Sequence, residues 1–157
     1  MHTTLTRRPV RIAAAVVAAT AVTLPPPAAA ASRVPVEFTD TRLFTSDTGQ
    51  VTTSLAECPT ATSVDVMARA AFTGSGSGFL GVFVGVRDIQ CDQGGGFVVR
   101  LSARFGQGGS VGSWSVVDSY GSLAGLRGAG SLVGEPLDAG GVAGIADHYT
   151  GTLTRTR

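Results

Sequence analysis

The strict alternation of apolar and polar residues, interrupted by glycine-rich turns, constrains the fold of this chain most strongly. In residues 97–105 the odd positions are apolar, whereas the even ones carry Arg100, Ser102 and Arg104. This pattern predicts a strand with one face in a core and the other in water. No segment after the first thirty residues has a convincing apolar period of 3.6 residues. We therefore expect an all-β domain.

The same alternation predicts inward-facing rows in two earlier strands. We expect these rows to be Val64, Val66, Ala68, Ala70 and Phe72 in the first strand, and Leu80, Val82, Val84 and Val86 in the second. Small or aromatic residues alternate with the second row, which favours a strand covered on both sides or one that bends sharply at its glycines.

Five further strands and the turns between them complete the predicted architecture. The strands are expected near residues 34–44, 50–55, 111–118, 128–133 and 144–153. Short strands joined by hairpin-length turns predict an antiparallel meander. Eight or so strands in one domain close most easily into a β-barrel, because closure removes exposed edges. A two-sheet β-sandwich is the alternative, and residues 122–126 break the alternation as one helical turn would.

Residues 1–31 have the layout of a secretory signal peptide. Arginines at positions 7, 8 and 11 precede an apolar run over residues 12–24, and prolines and an alanine-rich cleavage site follow. We expect cleavage to leave one domain, residues 32–157, in a secreted, extracellular protein. The general secretory route is favoured over the twin-arginine route because Pro9 follows the arginine pair. The mature chain has no second run of the roughly 18 apolar residues that a membrane helix needs, so no membrane association is expected after cleavage.

Cysteine content and charge exclude several kinds of partner. In an exported chain, Cys58 and Cys91 are expected to form one disulfide. A metal or redox site is disfavoured because there is no CxxC motif and the mature chain has a single histidine, His148. We expect no cofactor. The near balance of 12 basic and 11 acidic residues argues against a nucleic-acid partner.

Four residues are candidates for a ligand site in the barrel lumen: Asp147, Tyr149, Tyr120 and Trp114. Neighbouring residues of a strand face opposite sides, so Asp147 and Tyr149 point inward while His148, between them, faces solvent. Tyr120 shares the parity of Trp114, which places both in the lumen. The alternatives are a structural hydrogen-bond network for Asp147 and Tyr149, and simple core packing for Trp114.

Two glycine-rich motifs imitate known functional sites. Residues 76–81 spell G-x-G-x-x-G and residues 108–112 spell G-x-S-x-G. A dinucleotide site and a nucleophile elbow both need a helix at this point, but β-type sequence follows each motif. We therefore expect both to be glycine-rich turns.

The late part of the chain resembles a known barrel superfamily. The likeness lies in residues 120–130, with the pattern G-x-(L/Y)-A-G-L-x-G-x-G, and in residues 147–151, Asp-His-Tyr-Thr-Gly. These segments resemble small secreted actinobacterial proteins of unknown function and the allene-oxide-cyclase and dirigent β-barrels. The resemblance covers about residues 97–153 and rests mainly on glycines. It implies an eight-stranded antiparallel barrel whose lumen accepts a small apolar ligand, leaves homo-oligomerisation open and transfers no catalytic residue.

Three functions compete. The first is a non-enzymatic extracellular module that binds a small ligand or another extracellular protein. The second is a cofactor-free isomerase or cyclase that holds its substrate against inward polar groups such as Asp147 and Tyr149. The third is a structural or envelope-associated protein. The absence of a catalytic constellation favours the first and leans against enzymatic activity without deciding it.

Overall fold

The computed structural model describes residues 32–73 and 80–156, which form a closed antiparallel β-barrel. The strands are β1 (Arg33–Leu43), β2 (Thr48–Thr53), β3 (Thr60–Thr73), β4 (Leu80–Cys91), β5 (Gly96–Gly106), β6 (Gly109–Tyr120), β7 (Leu126–Ala139) and β8 (Val142–Arg155). Each strand pairs with its neighbours in sequence, and β8 closes the barrel against β1. The predicted eight-stranded meander barrel is thus confirmed and the sandwich alternative is wrong.

Short glycine-containing turns join β4 to β5, β5 to β6 and β7 to β8. Between β7 and β8, Gly140 and Gly141 have φ angles of +67° and +89°, a left-handed conformation that suits a tight hairpin and favours glycine. Of the G-x-S-x-G motif, Gly108 lies in the turn between β5 and β6, whereas residues 109–112 are the first residues of β6, so the expected glycine-rich turn is confirmed only for the start of the motif. The expected helical turn is a single 3-10 turn, Gly121–Leu123. The predicted signal peptide and most of the G-x-G-x-x-G motif lie outside the described residues.

Two β-bulges shift which side chains face the interior. In β3, Asp65 pairs with Arg87 and Met67 with Val86, so Val66 is an extra residue. In β6, Val117 is extra in the same way. A bulge inverts the alternation on one side of it. The predicted inward row of β3 is therefore wrong for its first two members, Val64 and Val66.

The predicted inward row of β4 is also wrong. Leu80 is 65% exposed and Val82 is 47% exposed. The register explains this outcome, because the buried residues Phe97, Val99 and Leu101 of β5 pair with odd-numbered residues of β4. Cross-strand partners share a face of the sheet. The interior row of β4 is therefore Phe83, Gly85, Arg87, Ile89 and Cys91.

One end of the barrel is packed solid with aromatic and aliphatic side chains. The Phe38 ring stacks on Tyr149 at a centroid distance of 4.2 Å and meets Trp114 edge-on at 5.1 Å. The predicted disulfide between Cys58 and Cys91 is formed at this end, where it ties the β2–β3 connection to the end of β4. We call this region the packed end. Among the described residues no helix has the length and apolar character needed to cross a membrane.

Candidate ligand-binding site

A layer of polar and charged side chains crosses the middle of the barrel. Four strands contribute to it, namely β1, β3, β4 and β8. We call it the charged layer, and its members are Asp40, Arg42, Ser63, Asp65, Arg87, Asp147 and Tyr149. The layer separates the packed end from a cavity at the opposite end.

Arg87 is the centre of the charged layer. Its Nη1 donates to Asp147 Oδ2 at 2.7 Å, to Tyr149 Oη at 2.9 Å and to Asp40 Oδ2 at 3.0 Å. Its Nε donates to Asp65 Oδ1 at 3.0 Å. The side chain is only 5% exposed. Arg87 therefore connects its own strand, β4, to β1, β3 and β8 through charge-assisted hydrogen bonds.

Arg42 supports the same carboxylates from β1. Its Nη1 lies 2.9 Å from Asp65 Oδ2, and its Nη2 donates to Ser63 Oγ at 2.7 Å. Ser63 in turn donates to Asp40 Oδ1 at 2.8 Å. Residue 49 of the intervening strand β2 is glycine, and a Cβ there would collide with Asp40 and Ser63. The missing side chain lets β1 and β3 make these contacts across β2.

The charged layer holds three carboxyl groups and two guanidinium groups, so it has one negative charge more than it can pair. Burial raises the pKa of Asp147 above its ordinary value, although the neighbouring Arg87 acts to lower it. Burial also raises the pKa of Tyr149, which remains a neutral phenol. Burial acts to lower the pKa of Arg87, but its negatively charged neighbours, among them Asp40 and Asp147, raise it on balance. Asp147 thus accepts a proton more readily than an exposed aspartate does.

A cavity of about 530 Å³ lies on the other side of the charged layer. It reaches toward the barrel end that carries the β5–β6 and β7–β8 turns. Its wall is mostly apolar and includes Phe83, Leu101, Ala103, Leu132, Leu137 and Ile145. Arg87 and Asp147 line it where it meets the charged layer. The cavity therefore combines apolar walls with a charged floor.

Ser110 adds a polar group to the cavity wall. It is 8% exposed, and within the described part of the chain its buried Oγ has no hydrogen-bond partner. It pairs across the sheet with Gly134. A Cβ on Gly134 would collide with Ser110 Oγ and would lie 2.5 Å from Asp147 Oδ1. The two oxygens thus lie close to each other beside Gly134, in the volume that a side chain of residue 134 would need.

The structure brings two of the four predicted site residues into this region. Asp147 and Tyr149 face inward and join the charged layer, whereas His148 faces out, with its Nδ1 3.0 Å from Thr39 Oγ1. Of the two, Asp147 also lines the cavity. Trp114 is in the packed end, where its Nε1 donates to the carbonyl of Thr150 at 3.2 Å. Core packing therefore accounts for Trp114.

Tyr120 lies on the outside of the barrel, contrary to the lumen placement predicted from its parity with Trp114. The cause is the bulge at Val117, which inverts the alternation before Tyr120 is reached. The phenol donates to Asp88 Oδ1 at 2.9 Å, and its ring covers Gly96. Tyr120 is 38% exposed and has no place in the cavity.

The sequence pattern did not identify the other members of this region, namely Asp40, Arg42, Ser63, Asp65, Arg87 and Ser110. One usable signal was present in β1, where Arg42 has the same parity as the apolar residues that precede it in the strand. An inward arginine requires an inward acid as its partner. No sequence feature indicated a role for Ser110, because its motif was expected to form only a glycine-rich turn.

No family model matches the chain, and no curated protein matches its sequence.

Within residues 32–73 and 80–156, no three His, Cys, Asp or Glu side chains are grouped so as to hold a metal ion. The fold and site define a closed eight-stranded barrel with one packed end, a charged layer and one hollow end.

Proposed function

We propose that this protein is an extracellular binding protein that holds a small, mainly apolar ligand in the hollow end of its barrel. The observation that carries the proposal is the cavity of about 530 Å³, with apolar walls and a few convergent polar groups. Small-molecule sites in proteins have this size and this composition. An extracellular setting is supported by the predicted signal peptide and by the disulfide, which persists in oxidising compartments.

Binding is favoured over catalysis by the polar groups that the cavity offers. Ser110 has no histidine beside it, since the histidine in the described part of the chain, His148, lies on the outer face. The carboxyl group near Ser110, that of Asp147, is already bound by Arg87. Arg87 is engaged by carboxylates of the protein itself. The remaining wall is mostly hydrocarbon, which binds a ligand by excluding water from it.

The test measures whether an apolar probe enters this cavity. N-phenyl-1-naphthylamine is a neutral dye whose fluorescence rises in apolar surroundings, and we expect saturable binding to the mature protein. Ala103→Phe and Ile145→Trp both fill the cavity, so we expect each to abolish the signal. Ala129→Phe places the same new ring on the exposed outer face of β7 and should leave binding unchanged.

Thermal unfolding of every variant shows that each is folded at the assay temperature. Two lumen variants are used because overpacking can destabilise one of them. The proposal is wrong if the dye does not bind the wild-type protein. It is also wrong if both folded lumen variants bind the dye as the wild type does, because the dye would then occupy the surface.

A further inference from the structure

We infer that the ligand carries a neutral hydroxyl group, as an alcohol or phenol, which binds between Ser110 and Asp147 while its apolar body fills the cavity. This inference rests on the proposed function and specifies its ligand class. Two independent observations support it. One is the unpartnered, buried hydroxyl of Ser110, and the other is the carboxyl of Asp147 at the same point of the cavity wall.

The position of the two oxygens defines where the ligand's polar atom binds. Both lie beside Gly134, so near its Cβ position that no further atom fits there, and both residues line the adjoining cavity. One oxygen atom of a ligand can therefore lie within hydrogen-bond distance of both. A buried hydroxyl without a partner is unfavourable, so a ligand that supplies the partner gains affinity at this point.

Hydrogen-bond chemistry distinguishes a hydroxyl from charged groups. The hydrogen of Ser110 needs an acceptor, whereas the ionised carboxyl of Asp147 only accepts. A ligand hydroxyl can accept from Ser110 and donate to Asp147 at the same time. An ammonium group only donates, so it would leave the Ser110 hydrogen unpaired.

The charge of the surroundings disfavours a ligand carboxylate. Three carboxyl groups face two guanidinium groups in the charged layer, so a further anion would be repelled. Arg87 binds the other oxygen of Asp147 at 2.7 Å, which also disfavours a cation beside this carboxyl. A hydroxyl remains compatible with the site whether Asp147 is ionised or protonated, because a hydroxyl both donates and accepts.

The experiment compares four ligands with one ring system and different polar groups. These are 1-naphthalenemethanol, 1-methylnaphthalene, 1-naphthaleneacetate and 1-naphthylmethylammonium, and their affinities are measured by titration of the mature protein. We expect the alcohol to bind about tenfold or more tightly than each of the other three, since one well-formed hydrogen bond changes affinity by roughly this factor.

Ser110→Ala should remove the preference for the alcohol and leave the affinity for 1-methylnaphthalene unchanged. The unliganded variant should melt at the same temperature as the wild type or higher, because the Ser110 hydroxyl has no protein partner to lose. Ser113→Ala, on the exposed face of the same strand, is the matched control and should keep the preference.

The outcomes separate this inference from the proposed function. If all four ligands bind equally, or if Ser110→Ala keeps the preference, the hydroxyl inference is wrong while lumen binding stands. If the acetate or the ammonium compound binds most tightly, the inference is also overturned, and an ion pair with Arg87 or Asp147 replaces it. If none of the four binds, the proposed function itself fails.

Discussion

Replacing Arg87 by methionine is the most informative test of the charged layer. Methionine keeps an unbranched, flexible side chain, although a shorter one, and removes the charge and every hydrogen-bond donor. Asp40 is fully buried, and Asp147 is nearly so. Without Arg87 the remaining cation of the layer is Arg42, whose Nη2 lies 3.8 Å from Asp40. At least one buried carboxylate would then have no adequate partner.

The expected loss of stability is large for a single substitution. Removing one partner of a buried ion pair typically costs about 3–5 kcal/mol. A domain of this size has a total stability of about 5–15 kcal/mol. A loss of this magnitude lowers the melting temperature by roughly 10–20 °C. We therefore expect Arg87→Met to fold but to melt far below the wild type at neutral pH.

The pH dependence of this loss identifies its cause. In the Arg87→Met variant the unpaired carboxyl groups should have pKa values raised above those in the unfolded chain, since burial disfavours their charged form. The folded state then binds more protons than the unfolded state, so the variant gains stability as pH falls through those values. The difference from wild type should therefore be smaller near pH 5 than near pH 7.5, within the usual range of such shifts.

Calorimetric melting at the two pH values provides the measurement. Arg100→Met, on the exposed face of β5, is the control and should change stability by no more than about 0.5 kcal/mol. The reasoning is refuted if Arg87→Met melts within about 2 °C of the wild type at neutral pH, which is under 1 kcal/mol for this size of domain. A loss that does not depend on pH would show that packing, and not charge, is responsible.

Two further predictions concern the disulfide and the outer face. The Cys58→Ala/Cys91→Ala variant should lose about 2–5 kcal/mol of stability, because the bond restricts the unfolded chain across a sequence separation of 33 residues; thermal melting with and without reductant checks this, and a double variant as stable as the oxidised wild type would contradict it. Burial and the hydrogen bond to Asp88 raise the pKa of Tyr120 to about 12, so an ultraviolet absorbance titration should find no tyrosine ionising near the ordinary value of about 10. Asp88→Asn should lower the pKa of Tyr120, and a wild-type tyrosine that titrates normally would contradict the contact.

The barrel could be predicted from the sequence because its clearest strands have unbroken alternation. In β5, residues 97, 99, 101 and 103 are all buried, whereas Arg100, Ser102 and Arg104 are exposed. In β8 the same parity correctly placed Asp147 and Tyr149 inside and His148 outside. In such strands the burial of one face determines both the strand and its orientation, so no tertiary information is needed.

The rest of the site could not be predicted, because its location depends on register. The bulges at Val66 and Val117 invert the alternation within a strand, and nothing in these valines distinguishes them from paired residues. In β4 both faces carry apolar side chains, so parity alone cannot choose between Val84 and Phe83 as the inward residue. The pairing of β4 with β5 determines that Phe83 faces inward, and it also places Arg87 inside the barrel. A single strand does not contain that information.

The division of the barrel into a packed end and a hollow end follows from the size of its inward residues. An eight-stranded barrel is just wide enough for its interior to be filled by side chains. Phe38, Phe97 and Trp114 fill one end in this way, whereas Ala103 and Gly134 leave space at the other. The charged layer lies between the two ends, where its own hydrogen bonds hold the strands together without further apolar filling. Stability can therefore come from the packed end, the disulfide and the charged layer, while the residues of the hollow end remain available to determine which ligand fits.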